Sequence, residues 1–401
     1  MANTPRLNWF IFAVFALISL AVFGAAIALP TVRPLAYAPL RELILPPPQP
    51  IVVNLLYSTE KTDWLNEVVP EFEATHPVVN GHPVQIQMSA TGSRELYLAV
   101  LNGQAKPDLI SPASSLQISI LQDQSPNQFG HSIVDPADKA NCRPVLLTPL
   151  VIVAWKERAD VLWGDHPDHD MWLRLHDALV SPNGWAAYNH PEWGYIKFGH
   201  TDPLKSNSGF QAILLMTYAY LGKTSGLTSA DITQNANYEA WFLGLENTIT
   251  QFGASTGTYT ADMVAFGPSK YDLIAVYESS AIGQMANAAN RYGQLRIYYP
   301  PATLWSDHPF CVLKADWVTP DHAQAAQLFI NYLTSQPAQS VALLKYGFRP
   351  TLNTVSLDQP GSPIQQYAAD GILKDIPPLV EVPAGGVLDT LLQFWSRNVK
   401  R

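Results

Sequence analysis

Ile51-Val-Val-Asn-Leu-Leu-Tyr-Ser-Thr-Glu-Lys61 decides the fold. Its apolar run is too short for a helix and is rich in β-branched residues, so it reads as a buried strand ending at Ser58. Trp64, Leu65, Val68, Val69 and Phe72 follow at helical spacing. Val84, Ile86 and Met88 then alternate as a strand, Leu96, Tyr97, Val100 and Leu101 mark a second helix, and Asp108-Leu-Ile-Ser111 makes a short third strand. This is βαβαβ, whose right-handed crossovers make the sheet parallel and bring all three strand ends to one edge. That edge carries Ser58-Thr59-Glu60, Ser89-Ala-Thr-Gly92-Ser93 and Ser111-Pro-Ala-Ser114-Ser115. Open parallel sheets hold ligands outside their strand ends. Small polar residues also populate ordinary turns, so each loop singly is ambiguous.

A similar arrangement recurs farther along. His200-Thr-Asp-Pro-Leu-Lys-Ser206-Asn207-Ser208-Gly-Phe210 precedes an apolar helical face of Phe210, Ile213, Leu214, Thr217, Tyr218 and Leu221. Ser and Asn there suit an N-cap, and the unpartnered N–H groups of a helix start can equally face a ligand. Tyr271-Asp-Leu-Ile-Ala-Val-Tyr277 is another strand, and Glu278-Ser-Ser280 leads from it into a helix. Leu150 to Trp155 reads as a strand crossing between two lobes, and Leu295 to Tyr299 with Pro309 to Leu313 as the return.

The chain has 401 residues, 24 basic against 33 acidic side chains, and no basic run, which argues against nucleic-acid binding. Cys142 and Cys311 have no metal-type spacing and are either a disulfide or two buried thiols. Trp9 to Leu29 is uncharged and long enough to span a bilayer. It is read as an uncleaved signal anchor, with Ala26-Ile-Ala28 a small-residue cleavage alternative. Arg6 on one side and Arg33 and Arg41 on the other nearly balance, and the folded body is placed outside the cytoplasm. Seven prolines between Pro30 and Pro50 read as a stiff spacer.

The order of segments resembles the type II extracytoplasmic (periplasmic-type) solute-binding proteins. More narrowly, it resembles the binding module of bacterial proteins that join such a module to a von Willebrand factor A domain. The matching runs are Ser58-Thr-Glu-Lys61, Lys106 to Pro112, Thr148 to Ile152, Gly184 to Gly194, Thr201-Asp-Pro203 with Ser206 to Gly209, Gly222 to Thr228 and Ser306-Asp-His-Pro-Phe310. The family pattern has Asn at the positions of Asp202 and His308. The resemblance implies an α/β fold of two lobes, each a mostly parallel sheet flanked by helices, preceded by the transmembrane helix.

The expected organisation is a cytoplasmic segment 1–8, anchor 9–29, spacer 30–50, first lobe 51–148, second lobe 149–300, first-lobe return 301–358 and a tail 359–401. The tail carries an apolar face of Val387, Leu388, Leu391, Leu392 and Trp395, which either folds back or awaits another chain. Ser58, Thr59, Gly92, Ser93, Ser114 and Ser115 are expected to meet Ser206, Asn207, Ser208, Tyr277 and Glu278 across a cleft. There they would hold a small polar or anionic solute for transport or sensing.

A permease of ABC-transporter type or a von Willebrand A-domain protein is the expected partner, and no cofactor is expected. The alternative is a cell-surface interaction or assembly protein with no transported ligand. Trp185 and Trp193 offer faces to a sugar ring. Gly164-Asp-His-Pro-Asp-His-Asp170 reads as a hydrophilic loop before a metal site. No Gly-x-Ser-x-Gly or paired acid and base supports an enzyme.

Overall fold

The computed structural model describes residues 5–35, 48–164 and 170–399. Most of the proline-rich spacer and five residues of the His/Asp loop (165–169) lie outside them. The helix Pro5–Ala28 is apolar all round and largely exposed, and is long and apolar enough to cross a membrane.

The first lobe is built on β1 (Ile51–Ser58), β2 (Val78–Val79), β3 (His82–Thr91), β4 (Leu109–Ser111) and β5 (Cys142–Pro144). β1 pairs in parallel with β3 and β4, placing Ser58 beside Thr91 and Tyr57 beside Ser111. The three strand ends therefore share one edge, as the alternating pattern requires. Trp64, Leu65, Val68 and Phe72 of the Thr62–Ala74 helix pack with Phe329, Ile330 and Leu333 of the Pro320–Leu333 helix under one face of this sheet.

β6 (Leu146–Trp155) leaves this lobe. Its first residue, Leu146, lies in the first-lobe core, whereas Leu150 and Ile152 lie in the core shared with the second lobe. The second sheet adds β7 (Phe198–Gly199), β8 (Leu273–Tyr277) and β9 (Leu295–Tyr298). β10 (Trp305–Ser306) pairs back onto β6, and β11 (Pro309–Val312) enters the first sheet between β4 and β5. β12 (Arg349–Pro350) runs beside the start of β6. The chain thus crosses between lobes along β6 and again through β10 and β11.

Three expectations need refinement. Both sheets are mixed rather than mostly parallel: in the first, β2 runs antiparallel to β3 and β11 to β4 and β5, and in the second β6 runs antiparallel to β8, β9 and β10, while β7 with β8 is parallel. A strand that crosses from the first lobe enters with its direction already set. The Asn207–Leu221 helix is buried on every side from Asn207 to Tyr218, so its apolar face is not opposed by a solvent face. Finally, the tail helix Gly385–Asn398 folds back. It packs between the Ser115–Phe129 helix of the first lobe and the Ser229–Thr233 helix of the second, with Leu388, Leu391, Leu392 and Trp395 buried. Trp395 Nε1 donates to Glu246 Oε2 at 2.6 Å, and Glu246 Oε1 meets the buried His200 ring at 2.9 Å. Cys142 and Cys311 face each other on β5 and β11 and are disulfide-bonded.

Candidate functional site

Strand ends and helix starts from both lobes meet, and the lobes are shut on one another. Gly92, at the start of the Ser93–Leu101 helix, lies against the second lobe so closely that a Cβ there would sit 2.7 Å from the carbonyl oxygen of Lys205. Its φ of −67° and ψ of 147° suit any residue, so proximity rather than backbone conformation calls for glycine. Nearby, Thr256 Oγ1 lies 3.3 Å from Glu60 Oε1 and 2.9 Å from Ser208 Oγ, either of which can accept its single proton, joining the first lobe to the second. Gln117 Nε2 donates to Asn207 Oδ1 at 3.1 Å, a second bridge.

Around these bridges the expected second-lobe residues converge. Ser206 is the N-cap of its helix, yet its side chain makes no capping bond and instead meets Thr256 Oγ1 at 3.2 Å. Asn207 Nδ2 donates to the Tyr277 hydroxyl at 3.1 Å, and Ser208 Oγ meets Thr201 Oγ1 at 2.8 Å. Burial, with Glu60 nearby, pushes the Tyr277 phenol well above its ordinary pKa, so it stays protonated.

On the first-lobe side the centre is Lys61, which closes the short turn Thr59–Lys61 after β1 and is fully buried. Its Nζ donates to Ser58 Oγ at 2.6 Å and meets His308 Nδ1 at 3.1 Å. Burial lowers the amine from 10.5 to about 7, although the Glu60 and Asp307 carboxylates oppose the shift. Burial and then the Lys61 charge hold His308 well below its ordinary value, so its ring is neutral. His308 has φ 37°, uncommon outside glycine, and its N–H donates to Ala113 O at 3.1 Å. Asp307 caps the Ser115–Phe129 helix: Oδ1 accepts from Ser115 N at 2.7 Å and Oδ2 from the Ser115 hydroxyl. Burial raises its carboxyl pKa. Beside Ser114, Ser115 and Asp307 a separate cavity of about 450 Å³ opens, with Leu304, Trp305 and Thr351 in its wall.

Other expected residues serve the fold. Ser93 Oγ accepts from Ala113 N at 3.0 Å, tying two loops of the edge together, and Ser114 Oγ caps its helix through Leu116 N at 3.2 Å. Thr59 lies partly buried on the short turn and its carbonyl accepts from Thr62 Oγ1 at 2.8 Å. The structure places Glu278 elsewhere than expected. Both of its oxygens accept from Arg349, at 2.7 Å each, and Oε2 also accepts from the Tyr299 hydroxyl. A buried carboxylate needs such pairing, and its partner stands 71 residues away.

The two tryptophans offer no face to a sugar. Trp185 is buried and donates to Asp272 Oδ2 at 2.9 Å; Trp193 lies between the His190 ring, 3.7 Å away, and the Arg158 guanidinium, 3.4 Å away. Among the described residues no group of three or more His, Cys, Asp or Glu side chains gathers to hold a metal.

Gln117, Thr256, Asp307 and Lys61 are not among the cleft residues expected from the sequence. The Ser58-Thr-Glu-Lys61 and Ser306-Asp-His308 runs were the available signal.

Comparison with known proteins agrees with this layout. Two curated sequences, each an uncharacterized protein of Mycobacterium tuberculosis, are 22% identical over 321 residues, covering 77% of this chain and 43% of theirs. The chain therefore spans less than half the length of the curated relatives it matches. The sulfate-binding protein SubI of M. tuberculosis superposes with a TM-score of 0.54 at 19% identity, over 86% of this chain and 96% of that one. A ferric binding protein from Campylobacter jejuni gives 0.58 at 11%, over 87% and 100%. The periplasmic binding protein AfuA from Actinobacillus pleuropneumoniae, with fructose-6-phosphate bound, gives 0.56 at 15%, over 87% and 98%.

At such identities these structures establish a shared two-lobed fold, that of the type II periplasmic solute-binding proteins. The family described as bacterial extracellular solute-binding protein matches residues 53–349. With nearly three quarters of its length inside that match, the chain belongs to the bacterial extracellular solute-binding proteins, which bind substrates rather than transform them.

Proposed function

We propose that this protein is a membrane-anchored extracytoplasmic receptor that closes its two lobes on a small polar solute, for delivery to an ABC-type permease or for sensing. One observation carries the reading. Polar side chains from both lobes are sealed together where the strand ends face the Asn207–Leu221 helix start, and several of their atoms have no partner. Glu60 Oε2, Ser111 Oγ, Gln117 Oε1, Gln211 Oε1 and His308 Nε2 are buried without a hydrogen bond. Buried polar atoms are nearly always satisfied in folded proteins, so unpaired ones on both sides of the lobe junction fit a place for a guest.

Entry requires the lobes to part, and the crossings at β6 and at β10–β11 fit a hinge. The Pro5–Ala28 helix supports anchoring, with the body on the outer side. A protein carrying a von Willebrand A domain is a further candidate partner, given the sequence resemblance.

The test is a thermal-shift screen of the full chain in detergent with oxyanions, sugars, amino acids and divalent ions. A ligand at one hundred times its Kd adds about 3 kcal/mol to the folded state. At least one class should raise the melting temperature. A flat response to all four would refute the receptor reading and favour a surface assembly role.

A further inference from the structure

The unpaired atoms at the lobe junction sort into two chemical kinds. His308 Nδ1 lies 3.1 Å from Lys61 Nζ; a protonated Lys61 can only donate there, which puts the proton of the neutral ring on Nε2, a buried atom with no partner. Below about pH 7, where Lys61 is protonated, its ammonium has three N–H groups, two of which are taken by Ser58 and His308. These donors lie on the first-lobe side of Tyr277, whose ring stands edge-on to His308 at 6.1 Å.

The acceptors are grouped around Asn207 and Tyr277. Gln117 binds Asn207 through its amide nitrogen and leaves Oε1 unpaired. Gln211, one helical turn beyond Asn207, donates to Trp305 O at 2.9 Å and also leaves Oε1 unpaired. Glu60 spends Oε1 on Thr256 and leaves Oε2 unpaired. His308 and Gln211 are fully buried and Gln117 nearly so, beyond the reach of bulk water.

We infer that the solute is a small zwitterion of the amino-acid class. Its carboxylate would take the Lys61 and His308 donors, and its primary ammonium would take Glu60 and the two glutamine oxygens. This rests on the interlobe cleft being the binding site. Lys61 faces two carboxylates, Glu60 and Asp307; Asp307 is committed to the Ser115 helix start, which leaves Lys61 and Glu60 to match a ligand with one charge of each sign. A dianion would have to face Glu60, and the helix start at Ser115 is already filled by Asp307. A bare cation would meet a lysine beside these carboxylates, with no group of three or more ligating side chains among the described residues. The unpaired acceptors call for a nitrogen that carries hydrogens, so a quaternary ammonium does not satisfy them.

The experiment uses the full chain in detergent with four probes: an equimolar mixture of L-amino acids, the same mixture N-acetylated, sodium sulfate with phosphate, and mannitol. The free amino acids alone should raise the melting temperature. The best single member, titrated by calorimetry, should bind at least ten-fold more weakly to Glu60→Gln. N-acetylation removes the ammonium from the ligand rather than the carboxylate from the protein, so it tests the same contact even where a variant folds poorly. Stabilisation by N-acetylated forms as strong as by free ones overturns the inference. So does a response to sulfate, phosphate or mannitol without one to amino acids, which leaves the receptor reading intact. Silence from every probe and from the wider panel above overturns both.

Discussion

Replacing Lys61 by Met should change how stability depends on pH, and the size follows from burial. Lys61 is fully enclosed, and its amine falls from 10.5 in the unfolded chain to about 7 in the fold. Between those values the unfolded chain carries a proton that the folded chain has lost. Stability therefore rises with pH across that window, and the full penalty is present below about 7. At 1.36 kcal/mol per unit, a shift of this size amounts to about 5 kcal/mol at saturation.

From pH 7.5 to 9.5 roughly 2 to 3 kcal/mol of it should be recovered in the native protein and none in Lys61→Met. The groups facing the amine are Glu60, Asp307 and His308. Carboxyl groups ordinarily titrate far below this range, and His308 is held neutral in the fold, so the difference between the two proteins isolates the lysine. Loss of the bonds to Ser58 and His308 weakens the variant equally at both pH values. Urea unfolding followed by tryptophan fluorescence gives the comparison. Parallel free energies for the two proteins from pH 7.5 to 9.5 would show that Lys61 keeps its ordinary pKa, and the account of a dry cleft centre would fail.

Gly92→Ala should leave the first lobe folded, since its backbone angles suit alanine, but block closure against Lys205 O. Solution scattering with ligand should give a larger radius of gyration than the native protein, and an equal radius would show that the lobes can adjust. Trp395→Ala should lower unfolding free energy by about 3–5 kcal/mol, because a filled site is emptied and Glu246 loses a donor; urea midpoints report it. Arg349→Met strands the Glu278 carboxylate and should be destabilising by about 3–5 kcal/mol, with much of that restored in the double variant Arg349→Met, Glu278→Gln. A double variant no better than the single would place the loss elsewhere. Reducing Cys142–Cys311 opens a loop whose ends are 169 residues apart, for which chain entropy predicts a loss of about 5 kcal/mol. Denaturation with and without reductant measures it.

What the sequence determined by itself was everything governed by near neighbours. The apolar run in Ile51–Ser58, alternation in His82–Thr91 and helical spacing in Thr62–Ala74 specify βαβαβ, and handedness then puts Ser58, Thr91 and Ser111 on one edge. The long apolar stretch before Ala28 likewise needs no tertiary information. The tertiary structure alone decided which polar groups share a space. Lys61 meets His308 across 247 residues, Glu60 meets Thr256 across 196, and Glu278 is claimed by Arg349 rather than by the cleft. It also decided that the tail helix closes on both lobes and that the second sheet is mixed. Local pattern reports only whether a side chain faces inward, whereas partner, charge state and hydration depend on what distant chain segments bring to the same point.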